Sequence, residues 1–267
     1  MDRLEKALEK ARKMRETYMG SGPAVAQSKV AATHTPTQNT QYALQSDPIS
    51  VQEAHLLERR VIAHQTRNSE ADIYRILRTQ VLQIMNKSGM RTLAITSPNY
   101  GDGKTTTSLN LAMSIALDLK QTVLLVDLDL RKPNLHEFLG LERNQGLSDH
   151  LLDNVPLQNC LTRMSFDRLS ILPAGRPVDH SSEVLGSPKM AALARELKTR
   201  YPDRLIIYDM PPVLAQDDPI AFLPHVDAVL MVVYDSVTTT TELKRCLSVL
   251  SNANIIGTVL NNSRHHS

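Results

Sequence analysis

The sequence predicts an α/β fold, a mainly parallel sheet with helices on both faces, preceded by an N-terminal helix and a flexible linker. Three observations lead there. Continuous apolar runs of strand length recur at 92–96, 122–126, 169–172, 205–208, 227–233 and 255–260. Amphipathic helical patterns lie between them near 104–119, 182–199 and 238–252, and unbroken apolar strands alternating with such helices bury both faces of a parallel sheet. A glycine turn, Gly101-Asp102-Gly103, joins the first of these strands to the first of these helices, at the strand ends where such folds bind ligands.

Taken from the N-terminus, residues 1–19 carry Leu4, Ala7, Leu8, Ala11, Met14 and Tyr18 at helical spacing among mixed charges. The stripe is narrow and suits a partner helix rather than a bilayer, or a solvated helix with no partner. Residues 20–55 read as a linker, because Gly20 to Ser46 is rich in Ala, Thr, Gln, Ser, Gly and Pro with hardly any charge or periodicity, too polar to bury a core. The domain proper spans 56–262. It opens on Leu56–Ile62, read as a short edge strand. Asn68 or Ser69 then caps a helix with Ile73, Ile76, Leu77, Val81 and Ile84 on one face. The last helical pattern carries Leu243, Cys246, Leu247 and Leu250. Residues 263–267 are expected to form a disordered tail, whose two His are too few for a metal-binding tract.

Composition excludes several classes. A net charge of +2 implies no pull towards nucleic acid. Two distant cysteines, Cys160 and Cys246, fit a reducing compartment and no disulfide framework. Apolar runs stop at strand length, so no transmembrane helix is expected, and the charged start Met1-Asp2-Arg3-Leu4-Glu5-Lys6 is no secretory signal. A cytoplasmic protein is expected.

Residues 97–105 read Ser-Pro-Asn-Tyr-Gly-Asp-Gly-Lys-Thr. Strand, glycine loop and helix make the context of a phosphate-binding loop, and hence of a P-loop NTPase. Gly101 and Gly103 allow positive φ and a close approach of backbone to phosphate. Amides from Asp102 to Thr106 point at the phosphates from a helix N-terminus. Lys104 reaches the β- and γ-phosphates and Thr105 offers its hydroxyl to Mg²⁺. The strict pattern has Gly where this chain has Pro98. The nucleotide-binding set is therefore Tyr100, Gly101, Asp102, Gly103, Lys104, Thr105 and Thr106, for a nucleoside triphosphate with Mg²⁺.

Two more strands end in acid, Val123–Val126 in Asp127-Leu128-Asp129-Leu130-Arg131 and Leu205–Tyr208 in Asp209-Met210-Pro211-Pro212. In a parallel sheet those ends share the edge of the loop. Thr105, Asp127 and Asp209 are the expected metal residues, since Mg²⁺ takes one or two carboxylates, a hydroxyl and phosphate oxygens. Asp127 is also the better candidate for the base that deprotonates an attacking hydroxyl. Arg131 either pairs with Asp129 or neutralises charge on the transferred phosphoryl group.

At these residues the chain resembles the bacterial tyrosine kinases of capsule and exopolysaccharide systems, within the MinD/ParA-like P-loop ATPases. The resemblance covers about residues 56–262. Ser97–Thr105 looks like their Walker A loop, Asp127–Arg131 like the Walker A′ motif of that family, and Asp209–Pro212 like Walker B. Arg131–His136, Gly146–Asp149, Leu172–Gly175 and Gly257–Asn261 are further family-like stretches, and Asn261 joins the nucleotide set on that ground. The opening Met1–Leu8 looks like the exosortase-associated subgroup. The resemblance implies ATP as the nucleotide, and a cytoplasmic ATP-dependent protein-tyrosine kinase regulating polysaccharide chain length, polymerisation or export, with Lys104, Asp127, Asp129 and Arg131 catalytic. It also implies a membrane chain-length (co-polymerase) protein as activator in trans, recruitment to the inner membrane face, and a homo-oligomer. The family's Glu-x-x-Arg-x-x-Arg interface motif stands here as Asp72, Arg75 and Arg78, expected on a polar stripe opposite the apolar face, or else as a local ion pair. Two departures pull apart. Asn99 stands where MinD/ParA ATPases carry a signature Lys, which favours the kinase. The C-terminal tyrosine cluster of most members is missing, which leaves Tyr18, Tyr42 or another protein as acceptor, or a regulatory ATPase switch without kinase activity.

Overall fold

The computed structural model describes residues 48–118, 121–166, 168–201 and 203–263. The expected N-terminal helix (1–19), most of the linker and all but the first residue of the tail lie outside the described residues. The fold starts earlier than residue 56. Ile49 bridges Met164 in parallel, its amide donating to the Arg163 carbonyl at 2.9 Å, and helix α1 spans Glu53–Glu58.

The expected strand at 56–62 is not one. Leu56 is buried at the end of α1, Arg60 turns the chain with φ 57°, and the next amides are taken by a side chain. Asn110 Oδ1 accepts from Ile62 and Ala63 N–H at 2.7 and 2.9 Å, leaving them nothing to offer a sheet neighbour. Helix α2 (Ser69–Lys87) begins as expected, with Asn68 accepting from the Glu70 amide at 2.8 Å. Its buried face differs in part from the expected one. Val81 is buried and Leu77 packs against the core as expected, joined by Ala71 and Met85, but Ile73, Ile76 and Ile84 are exposed, at 54%, 60% and 39%.

The alternation then runs β1 (Thr92–Thr96), α3 (Lys104–Ala116), β2 (Thr122–Asp127), α4 (Leu135–Phe138), α5 (Leu147–Asp153), α6 (Leu157–Cys160), β3 (Thr162–Arg163) and β4 (Leu169–Leu172). It continues with α7 (Ser181–Leu185), α8 (Pro188–Arg200), β5 (Arg204–Asp209), α9 (Asp218–Phe222), β6 (Ala228–Tyr234), α10 (Thr240–Val249) and β7 (Ile255–Asn261). The single helix expected at 182–199 is two. Gly186 closes α7 by donating to the Ser182 carbonyl, and Ser187 restarts the chain as N-cap, with Pro188 in the first turn.

The seven strands lie in the order β3-β4-β2-β5-β1-β6-β7. All pairs are parallel except β3 with β4. One face packs Leu124, Ile206 and Met231 against Met190 and Leu193 of α8 and Cys246 of α10. The other packs Ile95, Leu125 and Ile207 against Leu109 and Met113 of α3 and Val81 and Met85 of α2. Each such side chain contributes about 1.5–3 kcal/mol when fully buried. No described helix is long and apolar enough to cross a membrane. Strand order decides the site: β2, β5 and β1 are adjacent at the centre, with Asp127 beside Asp209 and Asp209 beside Ile95 in register.

Candidate nucleotide-binding site

The loop after β1 has the geometry its glycines predict. Gly101 and Gly103 sit at φ 84° and 94°, a left-handed region that any Cβ strains. At Gly103 a Cβ would also meet Asn261 Nδ2 at 2.0 Å, because Asn261, at the end of β7, donates to the Asp102 carbonyl at 2.9 Å. Asp102 in turn accepts from the Asn99 amide at 2.8 Å, and Ser97 Oγ donates to the Asn99 carbonyl. The loop is held from within, so its amides are free to converge on an anion at the start of α3. Thr106 lies half-buried in the first turn of α3, its carbonyl taken by Asn110.

Lys104, Thr105, Asp127, Asp129 and Asp209 come together, all buried. Lys104 Nζ stands 3.4 Å from Asp129 Oδ2. Thr105 Oγ1 donates to Asp209 Oδ2 at 2.7 Å. Ser108, one turn along α3, donates to Asp209 Oδ1 at 3.0 Å, so both Asp209 oxygens have partners. Asp127 Oδ1 accepts from the Asp129 amide at 3.0 Å, and Asp129 Oδ1 from the Lys132 amide at 3.1 Å. Sequence reasoning missed Ser108, although its position four residues after Lys104 puts it on the same helix face.

Three buried carboxylates against one lysine set the electrostatics. Burial, then Asp209 and Asp129, push the Asp127 carboxyl well above the usual range, against the Asp129 amide and Lys104. Burial also raises Asp209, opposed by Lys104 and by the Thr105 and Ser108 hydroxyls. Burial works against the Lys104 charge, but Asp209, Asp129 and Asp127 outweigh it and hold the ammonium above its usual pKa. An excess of buried anionic oxygen beside a hydroxyl fits a hard divalent cation such as Mg²⁺. Among the described residues no group of three or more His, Cys, Asp or Glu could hold a metal ion by itself.

Arg131 does not pair with Asp129. Its Nε donates to Ser181 Oγ at 2.8 Å and its Nη2 to Asp217 Oδ1 at 3.1 Å. Tyr100 is 43% exposed at the lip, hydrogen-bonded to Gln216, with Lys132 Nζ 4.7 Å from its ring centre. Asp72, Arg75 and Arg78 lie away from this cluster on α2. Arg75 pairs with Asp72 and donates to the Gln65 carbonyl at 2.7 Å, while Arg78 donates to the Ser114 carbonyl at 2.8 Å. The two arginines thus each bond to their own domain but stay half-buried, Asp72 is exposed, and Ile73, Ile76 and Ile84 share the exposed side of α2 with them.

Residues 90–255 match the AAA domain family. Tyrosine-protein kinase YwqD of Bacillus subtilis is 34% identical over 163 residues, 61% of this chain and 68% of its own. The kinase domain of Escherichia coli tyrosine kinase ETK superposes with a TM-score of 0.69 at 26% identity, covering 78% of this chain and 83% of that one. The septum site-determining protein MinD of Pyrococcus horikoshii, complexed with Mg-ADP, superposes with a TM-score of 0.55 at 27% identity, covering 65% of this chain and 72% of that one. Several curated relatives are much longer, and the chain spans 24% to 26% of their length.

Proposed function

The chain belongs to the AAA domain family and, within it, to the bacterial tyrosine kinases, and on that premise we propose that it is an ATP- and Mg²⁺-dependent protein-tyrosine kinase. The observation that carries the reading is the buried cluster of one lysine, one threonine and three aspartates under a left-handed glycine loop. Loop amides and Lys104 take the β- and γ-phosphates. The Thr105 hydroxyl donates to Asp209 and so has a lone pair left that would hold Mg²⁺, since a hydroxyl donates once and accepts twice. Ser108 fixes the other oxygen of Asp209. Bound Mg²⁺ would neutralise charge developing on the phosphates.

Asp127 ends β2 in register with Asp209, inside the buried cluster beside Lys104, a carboxylate placed to act as general base. It takes the proton of a tyrosine hydroxyl as that oxygen bonds to the γ-phosphorus. The bond to the β,γ-bridging oxygen breaks and ADP leaves. Lys104 and Arg131 offset the charge carried across.

The resemblance to capsule and exopolysaccharide kinases supports a role in polysaccharide chain length, polymerisation or export. It also supports a cytoplasmic protein activated in trans by a membrane chain-length protein, and a homo-oligomer meeting through Asp72, Arg75 and Arg78. A regulatory ATPase switch of the MinD sort is the weaker reading. Asn99, where those ATPases carry a lysine, is a neutral amide bonded to Glu242 at 3.0 Å. The test is labelled MgATP with mass spectrometry, with and without the cytoplasmic tail of a neighbouring chain-length protein. Phosphotyrosine on the chain or its partner is expected, and ATP consumption without any phosphotyrosine would favour the switch.

A further inference from the structure

Asp218 is a carboxylate that the nucleotide cluster does not use. It is the first residue of α9 and fully buried; neither of its oxygens has a partner in full hydrogen-bond geometry, although the Ser181 hydroxyl and its own amide lie close enough to favour its charged form. A buried carboxylate left this way is costly unless a cation compensates it. The cation beside it is Arg131, whose Nε lies 3.7 Å from Asp218 Oδ2. The same Nε donates to Ser181 Oγ at 2.8 Å, and Ser181, the first residue of α7, is itself buried. Burial pushes the Asp218 carboxyl up, while Ser181 and Arg131 oppose that shift. On the solvent side Asp217 pairs with Nη2 of the same guanidinium, an exposed contact worth little by itself.

We propose that Asp218 and Ser181 are positioning residues, which anchor the Nε edge of Arg131 so that the guanidinium is held at the phosphoryl-transfer site. The inference rests on the reading of Arg131 as a group that offsets charge on the transferred phosphoryl. Guanidinium is a planar fork whose aim is set by whatever grips one edge. A buried anchor holds that aim where an exposed pair is screened. The segment Asp217–Asp218 follows β5, the strand that ends in Asp209, so one connection carries both the acid of the phosphate cluster and the anchor.

The experiment measures single-turnover release of labelled phosphate from MgATP, and nucleotide affinity with a fluorescent ATP analogue, on the full chain. Asp218→Asn keeps the shape and removes the charge; Ser181→Ala removes the hydroxyl and guards against a variant that fails to fold. Both should lower the rate on the order of 10- to 100-fold, the range of a misplaced catalytic group, and leave nucleotide affinity within about threefold of the unmutated chain. In an Arg131→Ala background, Asp218→Asn should cause no further loss. An equal loss in both backgrounds would mean that Asp218 acts on the fold and not through Arg131, which overturns the proposal. Unchanged rates in both single variants, with Arg131→Ala impaired, would also overturn it. Unchanged rates in Arg131→Ala itself would instead sink the reading of Arg131, and the anchor with it.

Discussion

Lys104 is the buried cation facing three buried carboxylates, so at the scale of single residues its replacement should be decisive. Lys104→Met is expected to reduce MgATP turnover at least 100-fold, because losing a preorganised charge at the phosphates typically costs about 3–4 kcal/mol of transition-state stabilisation. Steady-state phosphate release measures it, with circular dichroism to confirm the fold. Asp127 gives a second expectation. Its pKa is raised on folding, so the folded state prefers the protonated form. That contribution is complete below the unfolded carboxylate pKa of about 3.9 and is lost as pH rises through the higher folded value. Asp127→Asn is neutral at every pH and escapes the loss. Without nucleotide or Mg²⁺, the variant should therefore melt above the unmutated protein near neutral pH, by about 2–4 °C for each kcal/mol of relief. The gap should close towards about pH 4. Thermal melts across that range check it, and a constant gap would contradict the assignment.

Helix α2 is the element where pattern and structure part. The apolar spacing marks Ile73, Ile76, Leu77, Val81 and Ile84 as one buried face; Leu77 and Val81 do pack on the core, with Met85 beside them, while the three isoleucines face out. Met85→Ala should lower unfolding free energy by about 2–5 kcal/mol, whereas Ile76→Ser should stay within about 0.5 kcal/mol. Urea denaturation separates the two. Replacing Arg75 and Arg78 together by Ala tests the proposed assembly through sedimentation at several concentrations, with a shift towards monomer expected. The same melts must accompany it, because Arg78 also satisfies the Ser114 carbonyl, and losing a charged hydrogen bond costs about 1.5–3 kcal/mol by itself.

For the whole molecule, ligand binding is folding energy. A nucleotide that binds only the native state adds about 2.7 kcal/mol at 100 times its Kd. MgATP should accordingly raise the melting temperature by several degrees, EDTA should return most of the gain, and Lys104→Met should abolish it. A melting temperature indifferent to MgATP would remove the nucleotide site. The shift also reports on the sheet as a unit, since Asp127 and Asp209 end β2 and β5 and Lys104 opens the helix after β1, so the three meet only when β1, β5 and β2 pair in register.

The amino-acid sequence by itself determined the class of fold, the six long strands and the phosphate loop. These depend on local signals: apolar runs, helical spacing, and glycines at positions that need left-handed φ. It also brought Lys104, Thr105, Asp127 and Asp209 to one place, since strand-terminal acids in a parallel sheet share an edge, and the family resemblance added Asp129. The tertiary structure decided what local pattern cannot encode. Asn110 took the amides of Ile62 and Ala63 from forty-odd residues away and turned an expected strand into a turn. The body of the domain, and not helical periodicity, selected which side of α2 is buried. Arg131 found Ser181, Asp217 and Asp218, none of them near it in the chain. Backbone propensity acts over a few residues, whereas the partner of a side chain is chosen by what the folded chain brings within a few ångströms, and only the packed structure holds that information.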